Sequence, residues 1–185
     1  MAGLLGRLWS RGDVGQARAG SALYAAAVAA AREPVFYLAR GVPDTLDGRF
    51  DLISLHAFLL IHRLQDAPAP GPDLAQAVFD AMFADMDSNL REIGVSDLSV
   101  GKRMRAMWEA FHGRAKVYAA AVAAGDRAGL EAALARNVWR GSAPEGSAGW
   151  LAAVVLAQAA CLAGQSLADL ASGKVSLPSA AETLE

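Results

Sequence analysis

Cysteine is nearly absent from this sequence: Cys161 is the only one in 185 residues. A lone thiol excludes an internal disulfide and a cysteine-based metal site, and it is compatible with a reducing compartment. Aromatic residues are scarce at 7%, and neither sign of charge dominates, the formal net charge being -2. That balance removes any bulk electrostatic reason to expect a nucleic-acid binder. The apolar stretch that raises a membrane question, Trp150 to Gly164, is broken by Gln158 and rich in weakly hydrophobic alanine. A spanning helix needs about 20 predominantly apolar residues, so a packed helix is the better reading. The interrupted cluster Leu4, Leu5, Leu8 and Trp9, close to Arg7, Arg11 and Arg18, is no signal peptide. It reads either as a disordered start or as an amphipathic turn for an anionic membrane surface.

Hydrophobic residues make up 54% of the chain, the excess being alanine, which favours close-packed helices over strands. The expectation is an all-α chain, a compact multi-helix bundle of about six or seven helices. Its expected parts are a flexible segment over 1–20, a helical domain over 21–140, a C-terminal helix packed on it over 141–172 and a polar tail over 173–185.

The organising stretch is GVPDTLDGRFDLISLHAFLLIHR, Gly41 to Arg63. Pro43 fixes its φ, Asp44 and Thr45 offer oxygens to free backbone N–H groups, and Gly48 permits a backbone angle that other residues avoid. Beyond this stiff corner, Phe50, Ile53, Ala57, Leu60, Ile61 and Leu64 share one helical face, while Leu52, Leu55 and Leu59 cover the other. A helix apolar on nearly all sides is a central one.

The flanking segments read as amphipathic cover. An alanine-rich helix over Ser21 to Arg32 should end before Pro34, and a short turn over Val35 to Arg40 should close at Gly41. DAPAPGPD, Asp66 to Asp73, is a Pro-rich connector with Asp73 placed to cap the next helix. Over Leu74 to Ile93, Val78, Phe79, Met82, Phe83, Met86, Leu90 and Ile93 form one stripe. Asp80, Asp87 and Arg91 line the opposite side, with Asp85 and Glu92 beside them. Gly94 is placed as a left-handed cap with Val95 after it. The next helix, about Leu98 to Ala124, packs Val100, Met104, Met107, Trp108, Phe111 and Tyr118, and its other side carries Lys102, Arg105 and Lys116 around Glu109, with Arg103 and Arg114 at the edges. A weaker helix follows over Arg127 to Trp139, then a flexible link, Gly141 to Gly149, into a helix over Trp150 to Leu170. The tail from Ser172 on should be extended or mobile.

Catalytic signatures are missing. SVGKRM has a Gly-Lys pair without the pattern of a phosphate loop, and no Gly-x-Ser-x-Gly elbow occurs. His56 and His62 lie six positions apart, roughly 120° around a helix, so one face cannot present both to a metal or haem. Each histidine, His112 included, is better read as structural or superficial. Neither a cofactor nor a metal is expected.

Two residue sets carry double readings. Met82, Met86, Met104 and Met107 either fill the core or form a pliable groove for an apolar client. Asp44, Asp47, Arg49, Asp85, Asp87, Arg91, Asp97, Lys102 and Arg103 either knit the two corner loops internally or recognise a partner.

GVPDTLDGRFDLISLH, Gly41 to His56, followed by DAMFADMDSNLREIGVSDLSVGKRM, Asp80 to Met104, strongly resembles the ubiquinol-cytochrome c chaperone family. The likeness runs in outline from about Tyr24 to Trp139, with an echo in GKVSLP near the end. The resemblance implies a non-enzymatic assembly factor for the cytochrome bc complex, respiratory complex III, that binds newly made cytochrome b or other assembly components. It also implies a small helper protein and ribosome contact as partners. Without a transit-peptide-like extension the chain looks bacterial, and a place in the cytoplasm is expected, with the inner face of the cytoplasmic membrane as the alternative within it. The competing readings are an RNA- or ribosome-associated module using Lys102, Arg103, Arg105, Arg114 and Lys116, and a peripheral lipid-binding protein using Leu8 and Trp9.

Overall fold

Proline and left-handed glycine punctuate the chain into eight α-helices and a final 3-10 turn among residues 11–182, the span that this computed structural model describes; side chains are described from Val14 on. The helices are α1 (Arg11–Ala31), α2 (Pro34–Leu38), α3 (Leu46–Gln65), α4 (Gly71–Glu92), α5 (Asp97–Ala124), α6 (Arg127–Val138), α7 (Ser147–Ala163) and α8 (Leu167–Ala171). No strand occurs among the described residues, so the all-α expectation holds. The membrane-surface cluster Leu4, Leu5, Leu8 and Trp9 lies outside them.

Three boundaries differ from expectation. Helix α1 begins at Arg11, ten residues before Ser21, because Ala19 and Gly20 already pack; a Cβ on Gly20 would lie 2.5 Å from that of Ala77 in α4. Asp73 does not cap α4, which starts at Gly71, and instead occupies the first turn. The last long helix ends at Ala163 rather than Leu170, since Arg63 donates to the Leu162 carbonyl at 2.9 Å and the Gln165 carbonyl at 3.0 Å. A cation at a helix C-terminus both satisfies open carbonyls and suits the dipole.

Helix α3 is the hub: every residue from Asp51 to Leu60 is buried, and it contacts α1, α4, α5, α6 and α7. The five-residue connector after it makes α3 and α4 an antiparallel hairpin. On α4, Val78, Met82, Met86 and Leu90 are buried, and Phe79 stacks on Phe83 at 4.5 Å and meets Phe111 of α5 edge-on at 5.6 Å. One hydrophobic cluster extends from Ala19 to Ala180.

The tail is held rather than loose. Glu33, between α1 and α2, accepts from the Ser179 hydroxyl at 2.7 Å and from the backbone N–H groups of Ala180 and Ala181. Gln158, the polar break in the apolar run, is 1% exposed and donates to the Pro178 carbonyl at 3.0 Å. Among the described residues no helix is long and apolar enough to cross a membrane.

His56 is 1% exposed, donates from Nδ1 to the Leu52 carbonyl at 2.8 Å and meets Phe36 edge-on. Burial holds its pKa below the ordinary value of 6.5. Below that pH the unfolded chain takes up a proton that the native state refuses. Stability from this group is therefore complete above pH 6.5 and falls as the pH drops, by at most about 1.4 kcal/mol per pH unit. Urea titrations from about pH 7.5 to 5.5 check this. The His56→Gln variant is expected to lose that component of the slope; an identical slope would place the titration on another group.

Candidate functional site

The first corner is a knot of short-range contacts. Gly41 turns the chain at φ 65°, and Thr45 caps α3 by accepting from the Gly48 N–H at 3.1 Å. Sequence reasoning has Gly48 serve a special backbone angle, but its φ is not among the positive ones. It is needed for closeness: a Cβ there would stand 2.0 Å from the Pro43 carbonyl oxygen. Asp44 caps nothing and accepts from Arg49 Nε at 2.6 Å, both side chains being more than half exposed. Arg49 holds the Asp44 carboxyl below the usual carboxylate range. Asp47 is exposed in the first turn of α3, where a negative charge suits the helix dipole.

The second corner is a Schellman turn. Gly94 has φ 83°, the Val95 N–H donates to the Leu90 carbonyl at 3.0 Å, and the Gly94 N–H to that of Arg91 at 3.0 Å. Arg91 then spans the turn, donating to Asp87 at 2.6 Å and to Asp97 at 2.5 Å, and it lowers the pKa of Asp87. Lys102 and Arg103 stand exposed on the opening turns of α5, with Arg105 paired to Glu109 at 3.1 Å. The antiparallel α3–α4 hairpin puts the start of α3 beside the end of α4, so both corners share one end of the bundle.

Large apolar side chains stand open at these corners. Leu98 is 96% exposed, Leu38 86%, Ile93 60% and Leu46 40%. The sequence stripe counted Ile93 as core, but it is the C-cap of α4, where the helix has ended. Leu98 gave a usable signal, because it lies roughly 200° from Val100 around α5, away from the packed side.

Two sequence-selected sets divide. Asp85 is not a free member of the charged surface: it accepts from the Tyr24 hydroxyl at 2.6 Å and ties α4 to α1. Burial, and then this bond, raises the Tyr24 pKa. Met82 and Met86, at 0% and 5% exposure, are core residues on the inward stripe of α4, whereas Met104 and Met107 are half-buried on α5. A four-methionine client groove does not form.

Sequence analysis missed Asp51, a carboxylate set in the most apolar helix. Its side chain, 2% exposed, binds Arg114 of α5 at 2.5 Å and Arg140, just beyond α6, at 2.7 Å. Burial raises its pKa, against the downward pull of the two guanidiniums. Its isolation among Phe50, Leu52 and Ile53 was the available signal, since a buried acid needs a cation. Among the described residues no group of three or more His, Cys, Asp or Glu could hold a metal ion.

Comparison with known proteins bears on the same region. In Xenopus laevis, ubiquinol-cytochrome-c reductase complex assembly factor 1 is 26% identical over 103 residues, 56% of this chain and 51% of that protein. The chain thus spans about half the length of this curated relative. The crystal structure of the Cbp3 homolog from Brucella abortus superposes with a TM-score of 0.84 at 37% identity, covering 96% of this chain and 98% of that one. The family model described as ubiquinol-cytochrome C chaperone matches residues 38–177, both corners included. With most of its length inside that match, the chain belongs to the ubiquinol-cytochrome C chaperone family.

Proposed function

We propose that the protein is an assembly chaperone for the cytochrome bc complex, respiratory complex III, that holds newly made cytochrome b or an assembly partner without making or breaking bonds. The feature that supports this reading is the end of the bundle shared by the two corners, which carries the ion pairs Arg49–Asp44, Arg91–Asp87 and Arg91–Asp97 as well as the open side chains of Leu46, Ile93 and Leu98. Charges of both signs orient a polypeptide, and exposed apolar groups at the same end shield its unassembled surface. A polyanion is a poorer fit, because the short basic run Lys102, Arg103 and Arg105 is flanked by Asp97 and Glu109, and Arg105 is already paired with Glu109.

The test is double charge reversal, Asp87→Lys with Lys102→Glu, in a bacterium that makes the bc complex. The ion pairs here are exposed, and such pairs contribute about 0–1 kcal/mol each, so the fold should persist by circular dichroism. Capture of cytochrome b by the tagged variant is expected to fall about tenfold, the size of one lost charge-assisted contact. Unchanged capture by a folded double variant places recognition on another surface.

A further inference from the structure

Beyond the corners, a cleft of about 660 Å³ opens between the second half of α3, the first half of α4 and the middle of α5. Phe79 lines it half-buried and Trp108 stands at the rim, 47% exposed, while Phe58 and Phe111 form a buried floor at 4% exposure each. Phe58 stacks on His62 at 5.4 Å, and Trp108 lies tilted against His112 at 4.0 Å.

The polar complement of the cleft is one-sided. Lys116, His62 and His112 line it together with the amides of Gln65 and Gln76, and no lining residue is acidic. Of the acids next to lining residues, Asp80 accepts from Gln76 at 2.7 Å and Glu109 from Arg105 at 3.1 Å, while Asp66 and Asp73 stand exposed outside the lining. From Trp108 to Ala119, the cleft follows α5 for about three helical turns, roughly 17 Å at 1.5 Å per residue.

We infer that this cleft is a second docking site, which takes an apolar helical peptide segment of about three turns bearing a carboxylate that meets Lys116. The inference rests on the chaperone reading and deepens it: the corners orient a client while the cleft covers one of its apolar faces. A helix seated here presents side chains at i, i+3, i+4 and i+7 to Phe79, Trp108 and the apolar floor between them. The chain's own first ten residues are a poorer occupant, because they contain Arg7 and no acid.

The full chain is titrated with two labelled, end-capped peptides of about 15 residues that share one Leu/Phe face and differ only in carrying Glu or Lys beside it. The Glu peptide is expected to bind about tenfold tighter, Lys116→Glu to reverse that preference, and Trp108→Ala to weaken both peptides about tenfold with the circular dichroism unchanged. The Asp87→Lys, Lys102→Glu variant is expected to bind the peptides as the parent does. No binding, or a preference untouched by Lys116→Glu, overturns the assignment. So does a tenfold gain in peptide affinity on deleting residues 1–10, which makes that segment the occupant, or peptide-induced dissociation of a dimer, which makes it a second copy. Cytochrome b capture separates the two readings. If the parent captures it and the cleft variants do so equally well, the cleft assignment fails alone; if the parent captures none while the peptides bind as described, the chaperone reading fails alone.

Discussion

Asp51→Ala is expected to remove about 3–5 kcal/mol of folding stability, a fall in Tm of roughly 10 °C for a chain of this size. The reason is what the change leaves behind. Arg114 is 18% exposed and loses its buried counter-charge, whereas Arg140, 53% exposed, can turn toward water. An unpaired guanidinium in that position bears the desolvation cost without the attraction that offset it. The Asp51→Asn variant keeps an acceptor and should lose less. Replacing Arg114 by Met in the Asp51→Ala background should recover part of the loss, because the stranded charge is then gone. Chemical denaturation of the parent and these three variants checks the scheme. A loss under about 1 kcal/mol in Asp51→Ala would mean that the bridge contributes no more than a surface pair.

Gly48→Ala is expected to cost about 3 kcal/mol, the upper end for forced overpacking, and to weaken cytochrome b capture as well. The new methyl group would meet the Pro43 carbonyl, which belongs to the backbone and cannot rotate away as a side chain could. The corner must open, moving Asp44 relative to Arg49 and breaking the Thr45 cap. Gly113→Ala is the contrast: it lies within α5 with nothing within 4 Å of the added carbon. There the change should stabilise by about 0.5–1 kcal/mol through helix propensity. Thermal melts of both variants decide the matter, and a Gly48→Ala protein as stable as the parent would show that the Pro43 loop yields.

Much of this architecture was legible because periodic burial writes itself into sequence. The apolar wrap of α3, the α4 stripe and the Gly94 turn all follow from spacing and backbone preference. Interactions between distant segments left no such trace. Asp51 finds partners 63 and 89 positions away, and Glu33 finds the tail 146 positions on; each acid looks alike in sequence whether it is solvated or bridged. The corner charges were identifiable, but Asp85 left the set because Tyr24 arrives from another helix. The methionines divided for the opposite reason, since a regular stripe identifies the buried side of α4 without saying how deeply α5 is covered. The cleft went unread because its walls come from three helices and no single one outlines it.

Helices α3 and α5 divide the labour unequally. Thirteen of the 20 residues of α3 are buried but only four of the 28 in α5. Most positions on α5 can therefore change without disturbing the core. Apart from Arg114, which bridges to Asp51, α5 has room to change with a partner at small expense to folding, whereas α3 is confined by its neighbours.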